Sequence, residues 1–533
     1  MDIDCLPFKN TGYFSSLICD YIDGKPALKP FYNRLPSLKN FKAQLKEKAN
    51  HFPDSHRAVL QQALRRQYGK TNTSERTQDN INLLSDNSTF TITTGHQLNL
   101  FTGPLYFLYK IISTINLTEE LKAEHPGKNF VPVYWMATED HDFDEINYFN
   151  LNGKKLQWNT DAHGAVGRLK TAGLQDVFDA LDAEIGNSNN AKTLKALFTK
   201  AYLEHDTLTE ATRFLANALF GNYGLVILDG DDTELKRLLI PYAKKDIFEN
   251  LAFKKVSATI LDLEGLDTKY GIQVNPREIN YFYLTDNIRE RLIEKDGNFF
   301  VNDTDISFTR AELLEELENH PERFSPNVIA RPLYQEVILP NLCYIGGGGE
   351  IAYWLELKTM FEAMQVPFPM LLLRNSALVL TEKQNGKLKK LDLSIENLFL
   401  KQHSFINKKI REISNIEIDF SPQKKHLEQQ FAELYDLAEQ TDKSFLGAVK
   451  AQEVKQKKGL DKLEKRLLKA QKRKLKDHVV RMTALQNALF PNQSLQERQK
   501  NFSELYVELG DELIPLLIDT LQPLKTEFFV LKY

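Results

Sequence analysis

The sequence predicts an α/β protein, built on an open, mostly parallel β-sheet with helices on both faces. Three observations indicate this class. Apolar runs of strand length alternate with segments of helical spacing across residues 1–380, without an internal repeat. The run FVPVYWMA (130–137) is apolar throughout, as expected of a parallel strand covered on both faces. Polar, histidine-containing loops follow two such runs, and in these sheets ligands bind where strands end.

The first predicted unit is a strand, a helix and a second strand. Phe90 to Thr94 is short and β-prone, and the loop TGHQLNLFTG follows it. Pro104 then stands where a helix would begin, since a proline in the first turn sacrifices no hydrogen bond. Helical spacing of apolar residues predicts an amphipathic helix from Pro104 to about Glu124. In the second strand, Pro132 is expected at the strand start or at a sheet edge.

The remaining core elements follow in order. Residues 1 to about 90 are predicted to be mostly helical, and YGLVILDGDD (223–232) is a third core strand. We expect a helical insertion at about 160–220. A small α+β insertion is expected at about 250–323, with a hairpin turning at Asp296-Gly297.

The core is then expected to resume at FSPNVIARPLYQ (324–335) and to add a strand within FPMLLLRNS (368–376). Residues 1–380 would therefore form the core with its two insertions, and residues 381–420 a connector to the C-terminal part.

Residues 421–490 have the rhythm of a coiled coil, and residues 491–533 are apolar enough to pack back on the core. Apolar positions first step by four and three, at Leu427, Phe431, Leu434, Ala438, Thr441, Phe445 and Ala448. A second series repeats every seven residues, at Leu468, Leu475, Met482 and Leu489. Because the two registers differ, the segment is either an antiparallel hairpin or one helix with a phase shift near Gly459. Pro491 is expected to end it.

Composition limits the function classes. The 533 residues are 42% hydrophobic and 26% charged, as in ordinary globular proteins. An acidic N-terminus and the lack of an apolar run of about 18 residues predict neither export nor membrane insertion, so we expect a cytoplasmic protein. Cys5, Cys19 and Cys343 are scattered, which argues against disulfides and against a cysteine zinc site.

Charge is distributed unevenly along the chain. Residues 442–481 contain fourteen Lys or Arg and five Asp or Glu, a balance of +9 within a net charge of −4. We interpret this run as a solvated helix face, because the remaining −13 does not suit a general polyanion binder. No nucleic-acid partner is therefore expected.

The two polar loops after the first strands are the main candidate site. The first loop is a strand-to-helix turn that contains Gly95, His96, Gln97 and Asn99. The histidine and the backbone N–H groups of such a turn can bind a phosphate or carboxylate; alternatively, the histidine only stabilises the turn. The second loop carries a dense group of ionisable residues: Glu139, Asp140, His141, Asp142, Asp144 and Glu145. That group suits a general base, an ammonium site or a divalent metal, or is a charged surface loop. Its spacing matches no standard zinc signature.

Further candidates follow other predicted strands. The glycine run Gly346, Gly347, Gly348 and Gly349, followed by Glu350, is either a cradle for a phosphate or carboxylate or a flexible connection. Arg331 and Arg374 are candidates for pairing with carboxylates or phosphates. Asp229, with Asp231 and Asp232, could bind a hydroxyl or an amine, or simply cap a helix. No GxSxG elbow is present, so nucleophilic catalysis is not favoured.

Four motifs in this order resemble the bacillithiol synthase family: TGHQLNLFTGPLYFLYK, VPVYWMATEDHDFDEIN, FSPNVIARPLYQEVILPNLCYIGGGGEIAYW and FPNQSLQER. The resemblance covers nearly the whole chain. It implies a Rossmann-like core similar to class I aminoacyl-tRNA synthetases, with connecting-peptide insertions and a C-terminal coiled coil that forms a homodimer. It also implies that cysteine is added to glucosaminyl malate. The sequence departs from the synthetases in having no KMSKS-like loop, which leaves the use of ATP open.

The resemblance leads to expected roles. Amide formation from a carboxylate is uphill in water, so ATP or ADP with magnesium is the expected cofactor, and no tightly bound metal is expected. Glu139, His141 and Asp142 would hold and deprotonate the amine, while His96 and Gln97 stabilise developing negative charge. Five residues would bind substrate: Gly95, Asn99, Asp229, Arg331 and Arg374. Gly346, Gly347, Gly348, Gly349 and Glu350 would contact substrate or nucleotide. The alternatives are a metal-dependent hydrolase and a non-catalytic, nucleotide-binding scaffold.

Overall fold

The structure is a computed structural model that describes residues 2–441 and 443–533, so Asp442 of the predicted coiled coil lies outside the described residues. Its strands are β1 (Asp2–Pro7), β2 (Thr89–His96), β3 (Asn129–Met136), β4 (Tyr148–Leu151), β5 (Lys154–Gln157), β6 (Val226–Asp229), β7 (Tyr281–Leu284), β8 (Arg289–Lys295), β9 (Asn298–Val301), β10 (Ser307–Phe308), β11 (Phe324–Pro326), β12 (Asn341–Gly346), β13 (Met370–Leu373), β14 (Ala377–Leu380) and β15 (Glu527–Lys532).

Helices connect these strands and form most of the C-terminal part. Up to the end of the helical insertion they are α1 (Phe8–Thr11), α2 (Ser16–Ile22), α3 (Leu38–His51), α4 (Asp54–Gln67), α5 (Glu75–Leu83), α6 (Tyr106–Glu124), α7 (Phe143–Ile146), α8 (Leu174–Ile185), α9 (Asn189–Tyr202) and α10 (Leu208–Phe220). The next are α11 (Thr233–Arg237), α12 (Ile240–Glu249), α13 (Leu251–Glu264), α14 (Arg310–Asn319), α15 (Ala330–Ile338), α16 (Gly348–Leu355) and α17 (Lys358–Met364). The last are α18 (Glu382–Lys390), α19 (Ile395–Leu398), α20 (Gln402–Ile413), α21 (Ser421–Glu439), α22 (Lys443–Lys474), α23 (Lys476–Leu489), α24 (Gln496–Gln499), α25 (Phe502–Leu509) and α26 (Leu513–Thr520).

The central sheet has five strands in the order β13-β12-β2-β3-β6, and every neighbouring pair is parallel. The predicted α/β class with a mostly parallel sheet is confirmed. All eight residues of β2 are buried, because the strand lies in the middle of the sheet and α6 packs against it and against β3. The sheet therefore gathers the carboxyl ends of five strands at one edge.

Pro132 does not stand where we expected it. It lies inside β3, paired with Ile92, and β3 is an interior strand with β2 on one side and β6 on the other. The prediction of a strand start or sheet edge is therefore wrong. The chain accommodates the proline because the ladder with β6 begins only at Val133, after the ring.

The insertion after α13 contains a second, five-stranded sheet in the order β10-β9-β8-β7-β11. Its β8–β9 hairpin turns at Asp296-Gly297, where both residues have positive φ (52° and 79°), as two-residue hairpin loops require. Phe324–Pro326 was expected to resume the core, but it forms β11 and pairs with β7 of this second sheet.

A third sheet brings the two ends of the described chain together. Its middle strand β15 pairs with β1 on one side and with β14 on the other. The N-terminal segment is thus helical only after an opening strand that the sequence analysis did not predict. Phe528 to Leu531 of β15 are buried, which ties the last residues to the main core.

The coiled-coil region is an antiparallel hairpin of α21 and α22, the first of the two expected arrangements. Tyr435 donates a hydrogen bond to Glu453, and Lys424 pairs with Asp461, so later residues of one helix face earlier ones of the other. Gly459 lies inside α22 and marks no break. The described residues include no helix long and apolar enough to cross a bilayer.

The two predicted heptad series behave differently. In the first series Phe431 and Ala438 are buried, but Leu434 and Phe445 are 38% and 44% exposed, so a continuous seam is not formed. The second series does not face the hairpin at all. Its residues Leu468, Met482 and Leu489 are buried in the main core, and α22 and α23 contact α20.

A buried ion pair joins α3 to the core and yields a stability prediction. Lys48 Nζ lies 2.8 Å from Glu336 on α15, and both side chains are almost fully buried. We expect Lys48→Met to lower the free energy of unfolding by about 3–5 kcal/mol, because it leaves a buried carboxylate without its cation. Urea unfolding measures this loss.

The matched control is Lys244→Met, which breaks an exposed pair with Glu318. It should cost no more than about 1 kcal/mol. Equal, small losses for Lys48→Met and Lys244→Met would contradict the importance of the buried pair.

Candidate active site

A cavity of about 810 Å³ lies at the carboxyl ends of the central strands. Four strands of the sheet contribute to its wall through the residues that end or follow them: β2 through Gly95, His96 and Gln97; β3 through Thr138, Glu139, Asp140 and His141; β12 through Gly347, Gly348, Gly349 and Glu350; and β13 through Arg374. The second sheet, the segment before it and residues of α6, α15, α16 and α24 complete the wall. The loops predicted to share one crevice do share it.

Lys110 and Glu350 form an ion pair of 2.6 Å in the wall of this cavity. Lys110, on α6, also donates to the carbonyl oxygen of Gly95 at 2.7 Å. Glu350 accepts further hydrogen bonds from Tyr344 Oη (2.6 Å) and from the Gly347 N–H (2.8 Å). Burial alone would raise the pKa of Glu350, but Lys110 and these two donors outweigh it and hold the pKa below its usual value.

The glycine run forms the turn from β12 into α16. Gly346 ends the strand, and Gly347 is the N-cap of the helix, whose first turn includes Gly348 and Gly349. Those three later glycines line the cavity at the helix N-terminus, where backbone N–H groups favour an anion. Gly346 itself lies outside the cavity wall. A Cβ there would come within 2.9 Å of Glu350 Cβ and 3.0 Å of a Tyr344 ring carbon.

His96 is 7% exposed and contacts the rings of Tyr106 and Phe107. Burial, reinforced by the positive charges of Lys110 and Arg374, holds the pKa of His96 well below its usual value, so the ring is neutral at pH 7. A backbone contact with Thr102 acts in the opposite direction but is weaker.

Gln97 connects the two predicted loops directly. Its amide nitrogen donates to Asp140 (2.9 Å) and to Glu145 (2.8 Å). Both amide protons are therefore used within the protein, and Gln97 orients Asp140.

The acidic loop is balanced by cations that come from other elements. Glu139 lies 2.7 Å from Lys236 on α11, and Lys236 also pairs with Asp231 at 3.0 Å. His141 Nδ1 lies 2.6 Å from a guanidinium nitrogen of Arg289, so it accepts a hydrogen bond and the ring proton is assigned to Nε2. Burial, then Arg289, lowers the pKa of His141.

Asp140 differs from its neighbours in this loop. It lines the cavity, and its carboxylate accepts hydrogen bonds from Gln97 and from the His141 N–H (2.8 Å). Within the described part of the chain, no Lys or Arg lies within 4 Å of it. The sequence analysis placed its emphasis on Glu139, His141 and Asp142 instead.

The two predicted arginines have different environments. Arg331, on α15, lines the cavity and bonds to Gln335 (3.2 Å) and Tyr353 (3.3 Å). It forms no ion pair within 4 Å among the described residues. Arg374 also reaches the cavity, but a buried ion pair of 2.8 Å with Glu497 and hydrogen bonds to Asn375 and Ser376 hold its terminal nitrogens.

Three further predicted residues lie outside the cavity wall. Asn99 donates to the Glu145 carbonyl and lines a separate, much smaller cavity. Asp142 is exposed beyond the wall. Asp229 accepts hydrogen bonds from Thr138 (2.5 Å) and from the Asp231 N–H (2.9 Å), and burial, then Asp231, raises its pKa to about 6. These bonds brace the ends of β3 and β6, so the geometry does not favour direct substrate contact.

The segment before β7 covers one side of the cavity with Gln273, Val274, Asn275 and Arg277. Glu356, fully buried beyond α16, accepts the N–H groups of Gln273 (2.8 Å) and Val274 (3.4 Å). Burial raises the pKa of Glu356 to about 7. The covering segment is therefore tied to the end of the helix that carries the glycine turn.

Positive charge predominates in the wall. Its cations are Lys110, Arg277, Arg289, Arg291, Arg331, Arg374 and Arg498, and its carboxylates are Glu139, Asp140 and Glu350. Most of these cations were not predicted from the sequence, although Lys110 could have been, since it interrupts the apolar face of a predicted helix. Among residues 2–441 and 443–533, no group of three or more His, Cys, Asp or Glu side chains is arranged to hold a metal ion.

Comparison with known proteins identifies the family. Residues 1–375 match the family described as bacillithiol biosynthesis BshC, N-terminal Rossmann-like domain, and residues 377–533 match the BshC C-terminal coiled-coil domain. The chain belongs to the BshC family. The resemblance stated from the motifs is confirmed, and so is the Rossmann-like core with a C-terminal coiled coil.

Full-length relatives of the BshC family agree with this assignment. A protein of Christiangramia forsetii is 61% identical over all of this chain and 99% of its own length. One from Flavobacterium johnsoniae is 59% identical over the whole of both chains, and one from Cytophaga hutchinsonii is 37% identical over 98% of this chain and 97% of its own. Each bears the name "Putative cysteine ligase BshC".

Gly346 provides a test of the turn that shapes this site. We expect Gly346→Ala to lower the free energy of unfolding by about 1–3 kcal/mol, because the added methyl group overlaps Glu350 Cβ and the Tyr344 ring. Thermal or urea unfolding measures the loss.

Gly386→Ala is the matched control, since Gly386 lies in α18 and a Cβ there meets nothing within 4 Å. That substitution should be neutral or stabilising by up to about 1 kcal/mol. A Gly346→Ala protein as stable as the Gly386→Ala protein would contradict the tight packing of the turn.

Proposed function

We propose that this protein adds cysteine to glucosaminyl malate by forming an amide bond, with activation of the cysteine carboxylate by a nucleotide. The observation that carries the proposal is the cationic cavity at the carboxyl ends of the parallel strands, which pairs a glycine turn with an acidic loop. One side suits anions and the other suits an amine. Family membership and the names of the relatives support the same assignment.

The malyl group of glucosaminyl malate carries two carboxylates, and Arg331 is the residue we assign to them. Its guanidinium is partly buried in the cavity wall and has only neutral partners within reach, Gln335 and Tyr353. A charged group in this setting gains from an anionic ligand, because burial without a counter-ion is costly. Arg374 is less suited, since Glu497 already neutralises it.

Activation would use ATP or ADP with magnesium, and the N-terminus of α16 is where we assign phosphate binding. Gly347, Gly348 and Gly349 allow a phosphate to approach the backbone closely, and it would bind at the N–H groups of Gly348 and Gly349, because Glu350 already accepts the Gly347 N–H. The cysteine carboxylate would attack a phosphorus atom of the nucleotide, so that a mixed anhydride forms while a P–O–P bond breaks and the remaining phosphate-containing fragment leaves. Attack by the sugar amine then forms the C–N bond and breaks the bond between the acyl carbon and the phosphate oxygen.

The amine must lose a proton in this attack, and we assign that proton to Asp140. Glu139 is neutralised by Lys236, and in the tautomer that Arg289 selects, His141 Nε2 already carries a proton. Asp140 lines the cavity without a cation and is held in place by Gln97. His96, neutral and buried, would stabilise the charge that develops on the acyl oxygen.

We further propose that the protein acts in the cytoplasm as a homodimer that associates through the α21–α22 hairpin. Leu434, Leu437 and Leu446 near the tip of the hairpin are 38–55% exposed, which supports a contact with a second copy.

The hydrolase alternative has less support, because Glu139 and His141 are engaged by Lys236 and Arg289. The scaffold alternative leaves the cationic cavity unexplained.

The test is mass-spectrometric detection of the thiol product from purified protein given glucosaminyl malate, cysteine, ATP and magnesium, with each component omitted in turn. We expect product only in the complete mixture. Arg331→Met should raise the KM for glucosaminyl malate about tenfold or more, as expected when a charged hydrogen bond is lost.

Two controls accompany this assay. Arg237→Met changes a half-exposed arginine on α11 and should leave the KM unchanged. A glucosamine glycoside without the malyl group should react equally poorly with the Arg331→Met and unsubstituted proteins. Full product formation without ATP would contradict nucleotide activation, and no product in any mixture would contradict the ligase assignment.

A further inference from the structure

A second, much smaller cavity lies behind His96, between the loop after β2 and the helical insertion. Its volume is about 10 Å³, close to the space that one water molecule requires. The residues around it are His96, Gln97, Asn99, Thr102, Phe107, Tyr134, Thr212, Leu215 and Ala216. Thr212 belongs to α10, so the insertion forms one wall of this cavity.

Four buried polar atoms of this lining lack a hydrogen-bond partner within the part of the chain that the structure describes. They are His96 Nε2, Asn99 Oδ1, Thr102 Oγ1 and Thr212 Oγ1. All four side chains are more than nine-tenths buried. A buried polar atom without a hydrogen-bond partner is destabilising, so four of them on residues that line one small cavity indicate a bound ligand.

The hydrogen-bonding capacities of the four groups match a water molecule. Asn99 Nδ2 donates to the Glu145 carbonyl at 3.1 Å, which leaves Oδ1 as a pure acceptor. The threonine hydroxyls can donate, and the neutral imidazole can accept at Nε2. A water would thus donate to Asn99 and His96 and accept from Thr102 and Thr212. A cation is disfavoured, because Lys110 and Arg374 already place positive charge near the ring.

We infer that this cavity is an internal water site that positions His96, and that Thr212 is its positioning residue from the helical insertion. A water that donates to Nε2 selects the tautomer whose proton is on Nδ1. The orientation of a ring in the wall of the central cavity then depends on a hydroxyl group more than a hundred residues away in sequence. Only the activity readout below rests on the proposed function.

The experiment compares Thr212→Val, which replaces the hydroxyl by a methyl group, with Thr212→Ser, which retains it. Nitrogen-15 NMR of histidine-labelled full-length protein should show His96 with the proton on Nδ1 in the unsubstituted and Thr212→Ser proteins. Thr212→Val should shift or mix these signals. A crystal structure should show one water within hydrogen-bond distance of Nε2, absent in Thr212→Val.

Thr118→Val is the matched control, because its hydroxyl is equally buried but bonds within α6 to the Thr114 carbonyl. It should leave the His96 signals unchanged. In the ligase assay Thr212→Val should lower kcat about tenfold with little change in KM, the effect of about one lost hydrogen bond, and Thr212→Ser should restore it.

Three outcomes would overturn the inference. They are His96 signals identical in Thr212→Val and unsubstituted protein, a crystal structure with no water at Nε2, and His96 signals that change with ammonium concentration, which would assign the site to a cation. The NMR and crystallographic results hold whatever reaction the protein catalyses. A failed ligase assay alone would therefore count against the proposed function and not against the water site.

Discussion

The ion pair between Lys110 and Glu350 is the interaction on which the site depends. Through it α6, the carboxyl end of β2 and the glycine turn after β12 meet at one point, because Lys110 also binds the Gly95 carbonyl and Glu350 also binds the Gly347 N–H. Without the pair, a buried ammonium and a partly exposed carboxylate would remain unpaired in the cavity wall. The same close approach leaves little room for a Cβ at Gly346, which would lie 2.9 Å from Glu350 Cβ.

Segments that follow the central strands, together with the second sheet, supply charges that the central strands lack. The acidic loop after β3 places carboxylates on the cavity wall, and Lys236 from α11 and Arg289 from β8 balance them. The residues of this loop therefore differ in their partners. Glu139 is neutralised and His141 is fixed in one tautomer, whereas Asp140 is a carboxylate without a cation. Three neighbouring ionisable residues of one loop therefore have different electrostatic environments in the folded protein.

Local patterns of the sequence were sufficient to predict the core strands and the two loops that meet at the cavity. Apolar runs predicted the core strands, the Asp296-Gly297 turn is present, and the hydrogen bond from Gln97 to Asp140 confirms that the two loops meet. What could not be predicted depends on contacts distant in sequence. Arg374 is bound by Glu497, 123 residues later, and Pro132 is tolerated only because β6 pairs late along β3. Which carboxylate of the acidic loop lacks a cation likewise depends on Lys236 and Arg289, which are far from the loop in sequence.

A double-mutant cycle on the Lys110–Glu350 pair, using Lys110→Met, Glu350→Gln and the combined variant, tests whether this ion pair holds the site together. The free energy of unfolding by urea is compared across the four proteins. Glu350→Gln should cost about 3–5 kcal/mol, because it leaves the almost fully buried Lys110 ammonium without its anion, and Lys110→Met should cost less, because the Glu350 side chain is 25% exposed. The combined variant should lose less than the sum by more than about 1 kcal/mol. Losses that add within about 0.5 kcal/mol would contradict the claim that the pair holds the site together.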